Sequence, residues 1–338
     1  MHPRVLRIET GHSSVRDREN SWWSGVLDYE VYAHTPRWWR KLEETVRLDI
    51  ILALHARRLA KHYDVIWADS ERIGVPLSAT MIPIPVIVVA QHMASRKKRT
   101  LLRLLNITKK WAGIGYLCDA DRDFIMSYYG VSPDRLFCAA APDLIRFSPA
   151  APATDGPIVS LGVAKRDYST LIRALSQLPD CETAIHISSR YGDSYAGTMP
   201  GIVPSWVRFE KAVSSEELVK CYQRARFVVV PLTETTQYAA GMSVVLEAGA
   251  SAKAVIATKT LGMASYVIDG VTGILVPPYD AQAWRLAIHK LWSQPDVATE
   301  MGQAGRRLVE TKFGPKATNR VIREFLQKVT AGQPGFSL

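Results

Sequence analysis

From Ile158 onward, short β-branched runs alternate with segments of helical period, and such alternation leaves little choice but βαβ units feeding a parallel sheet. Strands are predicted over 158–163, 183–188, 207–210, 227–232, 254–259 and 274–276, with intervening helices over 168–178, from Ser214, and over 243–252. Ser214 followed three residues later by Glu217 has the form of a capping box. The run 227–232 is almost wholly apolar, as a strand covered on both faces must be. The first half repeats the theme less regularly, with strands over 5–9, 64–69, 85–90 and 113–118 and a long helical pattern over 43–62. The fold class is therefore α/β, with two doubly wound, Rossmann-like sheets.

Pro142, Pro149, Pro152 and Pro157, set among small residues, mark a linker between the halves. With 338 residues against roughly 150 for an ordinary domain, the division expected is 1–149 and 150–314, with a C-terminal helix at about 315–338 packing back on the first domain. Apolar residues at 47% and charged residues at 22% exclude a largely disordered or coiled-coil chain. No window approaches the roughly 18 apolar residues of a membrane-spanning helix, and Arg4 and Arg7 interrupt the first apolar run, so no export signal is expected. Cys118, Cys138, Cys181 and Cys221 are widely spaced and fit no zinc pattern, which points to a reducing cytoplasm.

The most informative segment runs from Ala239 to Gly249 and follows the apolar strand and its loop. Gly241 allows close approach to a backbone, Ser243 opens a helix whose first N–H groups lack intrahelical acceptors, and Glu247 lies one turn further in. Phosphate at the helix start and ribose at the carboxylate suit that layout. Gly162-Val-Ala-Lys-Arg-Asp-Tyr168, Val207-Arg-Phe209, Ser215-Glu-Glu-Leu218, Leu246-Glu-Ala248 and Asp269-Gly-Val-Thr-Gly-Ile-Leu-Val-Pro277 occur in that order. Together they resemble the nucleotide-sugar-binding domain of family four retaining glycosyltransferases (glycosyl transferases group 1), over about 158–313.

That resemblance implies the GT-B fold, two Rossmann-like domains facing a central cleft, and transfer of a sugar from a UDP- or GDP-sugar with retention. It implies that Glu247 holds the ribose, that the backbone at Gly241, Met242 and Ser243 meets diphosphate or sugar, and that Lys165 and Arg166, after Gly162, meet the diphosphate. Cations and helix N–H groups suit a leaving group that gains negative charge, so neither metal nor cofactor is expected. The family also has a His at the end of the strand corresponding to 86–90, which makes His92 the candidate catalytic residue beside the donor sugar. The pattern Glu-x7-Glu departs here at Ala239, and Ala240-Gly241-Met242 replaces Gly-Phe-Gly, so altered donor geometry is expected. A non-catalytic nucleotide-sugar-binding subunit and a sugar-nucleotide epimerase are the alternatives. The glycine-rich loop after the first strand is reduced to Thr10-Gly11-His12-Ser13. Asp119-Ala-Asp121 is read as a helix N-cap with first-turn acid rather than a metal site.

The formal net charge is +10, and between Glu71 and Asp119 there is not one acidic residue. Arg96-Lys97-Lys98-Arg99 leads into Leu101, Leu104, Leu105 and Trp111, an amphipathic pattern suited to an anionic membrane surface. Arg37-Trp-Trp-Arg-Lys41 and Trp22-Trp23 add further basic and aromatic clusters, and a solvated basic face is the competing reading. No nucleic-acid-binding module accompanies the charge. The expected partners are a nucleotide-sugar donor, a sugar or lipid-linked acceptor, and the inner face of a membrane.

Overall fold

A computed structural model describes residues 3–9, 29–31, 48–142, 144, 146–150, 153–162, 165–187, 202–210 and 213–332. The loop 10–13, the clusters 22–23 and 37–41, and the start of the helical pattern at 43–47 lie outside the described residues. Contacts divide the chain into two compact units, Met1–Ala140 with Pro315–Leu338, and Ala141–Gly314.

The first unit is an all-parallel sheet of β1 (Val5–Ile8), β2 (Tyr29–Val31), β3 (Val65–Ala68), β4 (Val86–Val89), β5 (Gly113–Tyr116) and β6 (Leu136–Cys138), in the order β2-β1-β3-β4-β5-β6. Strict alternation assigns the two faces. Leu6, Ile8, Ile66, Ala68, Val86 and Val88 pack with α1 (Ile50–Leu59) and α2 (Glu71–Ser78), together with Leu102, Trp111 and Ile125. Val5, Val65, Trp67, Ile87 and Val89 face the other way, and Ile322, Phe325, Leu326 and Val329 cover them. Two further helices, α3 (Arg96–Leu104) and α4 (Asp119–Tyr129), follow β4 and β5.

In the second unit, β7 (Ile158–Leu161), β8 (Thr183–His186), β9 (Val207–Glu210), β10 (Val228–Val230), β11 (Val255–Thr258) and β12 (Gly273–Val276) form a parallel sheet in the order β12-β11-β10-β7-β8-β9. Its helices are α5 (Tyr168–Leu175), α6 (Ser215–Arg224), α7 (Met242–Ala250), α8 (Ala281–Ser293) and α9 (Pro295–Leu308). The capping box forms: the Ser214 hydroxyl accepts from Glu217 N–H and the Glu217 carboxylate accepts from Ser214 N–H, both at 3.2 Å. Helix α5 stops at Leu175 instead of reaching 178, because the chain tightens into three-residue turns with Gln177 N–H on Ala174 O and Leu178 N–H on Leu175 O. After Phe313 the chain returns to the first unit as α10 (Pro315–Thr330).

The basic helix departs from expectation. Trp111 is in the core, its indole N–H donating to Ser78 Oγ at 2.8 Å, and Leu102 is buried beside it. Lys98 turns inward to a carboxylate oxygen of Glu71 at 2.6 Å. Arg99 and Arg103 lie over the Tyr128 ring, 5.8 and 4.9 Å from its centroid. Leu101, Leu104 and Leu105 do face outward, Leu104 being 74% exposed. The Lys97 side chain is outside the described set.

Asp119 is the first residue of α4 rather than its cap, a position held by Cys118. Cys118 Sγ donates to Asp121 at 3.2 Å, and burial is the main cause that raises Asp121 to about 6.

Candidate functional site

The strand order of the second unit reverses between β7 and β10, and crevices beyond the carboxyl ends of strands at such a point are where ligands of doubly wound folds bind. Gly162 leaves β7 with φ +89°, and a Cβ there would stand 2.6 Å from the Arg166 guanidinium. The loop then folds onto the end of β10: Asp167 N–H donates to Pro231 O at 3.1 Å, and Thr233 N–H to Lys165 O at 2.9 Å. Lys165 holds the left-handed conformation (φ +59°), which a long side chain adopts only where the surroundings fix it. Its side chain is exposed. Arg166, by contrast, is buried and donates from Nε and Nη2 to Leu161 O at 3.1 and 2.8 Å. Asp167 caps α5 by accepting from Thr170 N–H at 3.1 Å.

Helix α7 approaches the same loop, for a Cβ on Gly162 would sit 3.7 Å from Val244. It begins at Met242, one residue before the expected Ser243, because Gly241 (φ +84°) takes the N-cap position. A Cβ at Gly241 would lie 2.9 Å from Val230 and 3.2 Å from Met263, so only glycine brings the helix start this close to β10 without strain. Ser243 is exposed in the first turn, and Glu247 is half-buried one turn on. Glu247 does not stand alone: the hydroxyl of the buried Tyr222 on α6 donates to its Oε2 at 2.7 Å. Burial first, and Glu247's charge second, push the Tyr222 phenol well above its usual range, so it stays a donor. Arg166 acts on the same phenol in the opposite sense, which links the two cradles electrostatically.

Gly162, Lys165, Arg166, Gly241, Met242, Ser243 and Glu247 thus gather at one switch point in the second unit. Tyr222 was absent from the sequence reading; nothing in its local pattern separates it from a core aromatic. Arg166 is positioned to hold the turn after β7. Arg166→Ala is expected to leave the buried Leu161 carbonyl without these donors and to cost about 1–3 kcal/mol of stability, measurable by chemical denaturation. His92 belongs to the first unit, in the turn between β4 and α3, where its carbonyl accepts from Ser95 N–H at 3.3 Å.

Residues 204–308 match the family model described as glycosyl transferases group 1. A D-inositol 3-phosphate glycosyltransferase of Salinispora arenicola is 25% identical over 76% of this chain and 67% of its own. A GDP-mannose-dependent alpha-(1-6)-phosphatidylinositol monomannoside mannosyltransferase of Mycolicibacterium smegmatis is 32% identical over 45% of this chain and 43% of its own. The chain spans between 22% and 67% of the length of the curated relatives it matches. Among solved structures, sucrose-phosphate synthase from Thermosynechococcus elongatus superposes with a TM-score of 0.74 at 20% identity, over 98% of this chain and 100% of that one. Anabaena HepE in complex with UDP and glucose gives 0.75 at 15% identity, over 96% and 100%. The fold is that of GT-B proteins.

Proposed function

We propose that the chain is a group 1 glycosyl transferase that transfers a sugar with retention from a UDP- or GDP-sugar to a lipid-linked saccharide, a polysaccharide intermediate or a natural product. The observation that carries the proposal is the convergence of Gly162 and Lys165, the α7 N-terminus and the Tyr222-held carboxylate of Glu247 on one sheet crevice. In this reading Glu247 receives the ribose hydroxyls, and the first-turn N–H groups of α7 together with Lys165 face the diphosphate. As the glycosidic bond to phosphate breaks, the departing oxygen gains charge that these donors stabilise. The acceptor hydroxyl bonds to the anomeric carbon on the same face, and its proton passes to the leaving phosphate oxygen. His92 is assigned to the sugar. Support for a nucleotide donor comes from HepE, solved with UDP and glucose, and from the GDP-mannose-dependent relative.

Calorimetry with UDP and GDP, followed by release of free diphosphate from UDP-glucose and GDP-mannose, tests this. Binding without turnover would favour the non-catalytic subunit that Ala239 also permits, and an isomerised sugar would mark an epimerase. Because Lys165 is exposed at the turn and Arg166 is spent on Leu161 O, Lys165→Ala should lower affinity for UDP or GDP about tenfold or more, the range for a charged hydrogen bond, and barely affect uridine or guanosine. Equal losses for nucleoside and diphosphate would remove Lys165 from the phosphate.

We also propose that the first unit rests on an anionic membrane from the cytoplasmic side. Among the described residues no helix is long and apolar enough to cross a bilayer. Leu101, Leu104 and Leu105 are exposed on α3 and its end, and Arg96, Arg103, Lys109 and Lys110 surround them in sequence. Each such cation contributes about 1 kcal/mol near an anionic surface, and the leucines add an apolar component. Lys98 is left out of that sum because it serves Glu71. Co-sedimentation with phosphatidylglycerol vesicles should be strong at low salt, weak at high salt, and lost in a Leu104→Ser, Leu105→Ser, Arg103→Ser variant. Equal sedimentation by that variant would leave a solvated basic face.

A further inference from the structure

The turn that carries His92 is tied down on both sides. Glu71, the first residue of α2, is fully buried at 0% exposure. Its Oε2 accepts the Gln91 N–H at 3.0 Å, and its Oε1 receives Lys98 Nζ at 2.6 Å. The Gln91 side-chain amide donates to Asp69 O at 2.6 Å, and on the far side of His92 the Tyr129 hydroxyl donates to Met93 O at 2.8 Å. Burial by itself would raise the Glu71 carboxyl, but the Lys98 charge and the hydrogen bonds outweigh it and hold the group below its ordinary value. Asp121 is raised instead, by burial first and by the charge of Glu71 in addition.

A buried ion pair is a poor source of stability compared with apolar residues of the same volume, and it is best accounted for by what it holds in place. Glu71 and Lys98 are 27 residues apart, and what lies between their partners is the 91–95 turn with its candidate catalytic histidine. We propose that Glu71, neutralised by Lys98, is a positioning residue that presents His92. This rests on the reading of His92 given above. Glu71 touches no reacting atom in it; it fixes the backbone immediately before the imidazole, where a displacement of about 1 Å is enough to cost about 100-fold in rate.

The test replaces the pair with apolar residues of similar size, Glu71→Leu with Lys98→Met, which removes the Gln91 anchor and leaves no lone buried charge. The thermal midpoint should change little, because the lost acceptor of Gln91 N–H offsets the gain from replacing a buried ion pair. Backbone amides of residues 91–95 should exchange about tenfold faster or more. Release of diphosphate from UDP-glucose or GDP-mannose should fall about 10- to 100-fold, with UDP and GDP affinity within about twofold. Adding His92→Ala to this background should cost far less than His92→Ala costs alone, because two parts of one device are not additive. Should the double variant fail to fold, Glu71→Met with Lys98→Leu, which also removes both the Gln91 acceptor and the buried charge, is read in the same way. Wild-type exchange at 91–95, wild-type turnover in a folded variant, or fully multiplicative effects of the two changes would overturn the proposal. If the unaltered chain binds UDP or GDP and turns over neither sugar nucleotide, the sugar-transfer reading falls, and amide exchange still decides whether Glu71 anchors the turn.

Discussion

Glu247→Ala should weaken UDP or GDP binding by about 1.5–3 kcal/mol, the range for hydrogen bonds to a charged group, or about ten- to 150-fold. The size follows from how the carboxylate is held. Its place one turn inside α7 sets the direction, and the Tyr222 hydroxyl at 2.7 Å fixes the rotamer, so little is spent ordering it when the ribose arrives. The same substitution takes from the buried phenol of Tyr222 its 2.7 Å acceptor and leaves, among the described residues, the 3.5 Å contact to Val244 O, so a loss of about 1–3 kcal/mol in stability should accompany the loss of affinity. Tyr222→Phe separates the two effects. It keeps the carboxylate and removes the Tyr222 donor, and should cost only about 1 kcal/mol in affinity. Calorimetry on folded Glu247→Ala with unchanged affinity for both UDP and GDP would end the ribose assignment.

How much of this was legible depends on the range of the interaction. The apolar runs 86–89 and 228–230 identify themselves as covered strands because each residue carries the signal, and the capping box at Ser214 needs only four residues. Gly241 was legible as a point of close approach, but not as the N-cap, since that depends on Val230 and Met263 crowding it from other elements. The Lys98–Glu71 pair was hidden for the same reason. Within 96–99 four cations in a row read as one solvated face, and only the packing of α2 against α3's start shows that one of them neutralises a buried acid. Trp111 looked like part of an outward stripe until Gly74 and Ser78 supplied acceptors for its indole N–H. Arg166 and Lys165 are adjacent and chemically alike in sequence; the left-handed turn at Lys165 sends one side chain to solvent and the other to Leu161 O.

Removing residues 315–338 should unfold the first unit and spare the second. The sheet face formed by Val5, Val65, Trp67, Ile87 and Val89 is closed by Ile322, Phe325, Leu326 and Val329 of α10, all buried. Burying four such side chains contributes about 6–12 kcal/mol at 1.5–3 each, which equals the whole stability of an ordinary domain, about 5–15 kcal/mol. The core of the second unit is built from its own residues, Ile158, Leu171, Phe227, Ile256, Trp284 and their neighbours. The shortened chain should therefore still bind UDP or GDP while proteases cut freely within 48–142. A milder form of the same test is Phe325→Ala. That ring packs 4.5 Å from Phe137 and fills the space above Gly113, where a Cβ would collide with it, so its loss should cost about 3–5 kcal/mol. Gly113→Val attacks the contact from the other side and should expel the ring. A shortened chain whose residues 48–142 resist proteolysis as in the full chain would show that the first unit closes its core without the returning helix.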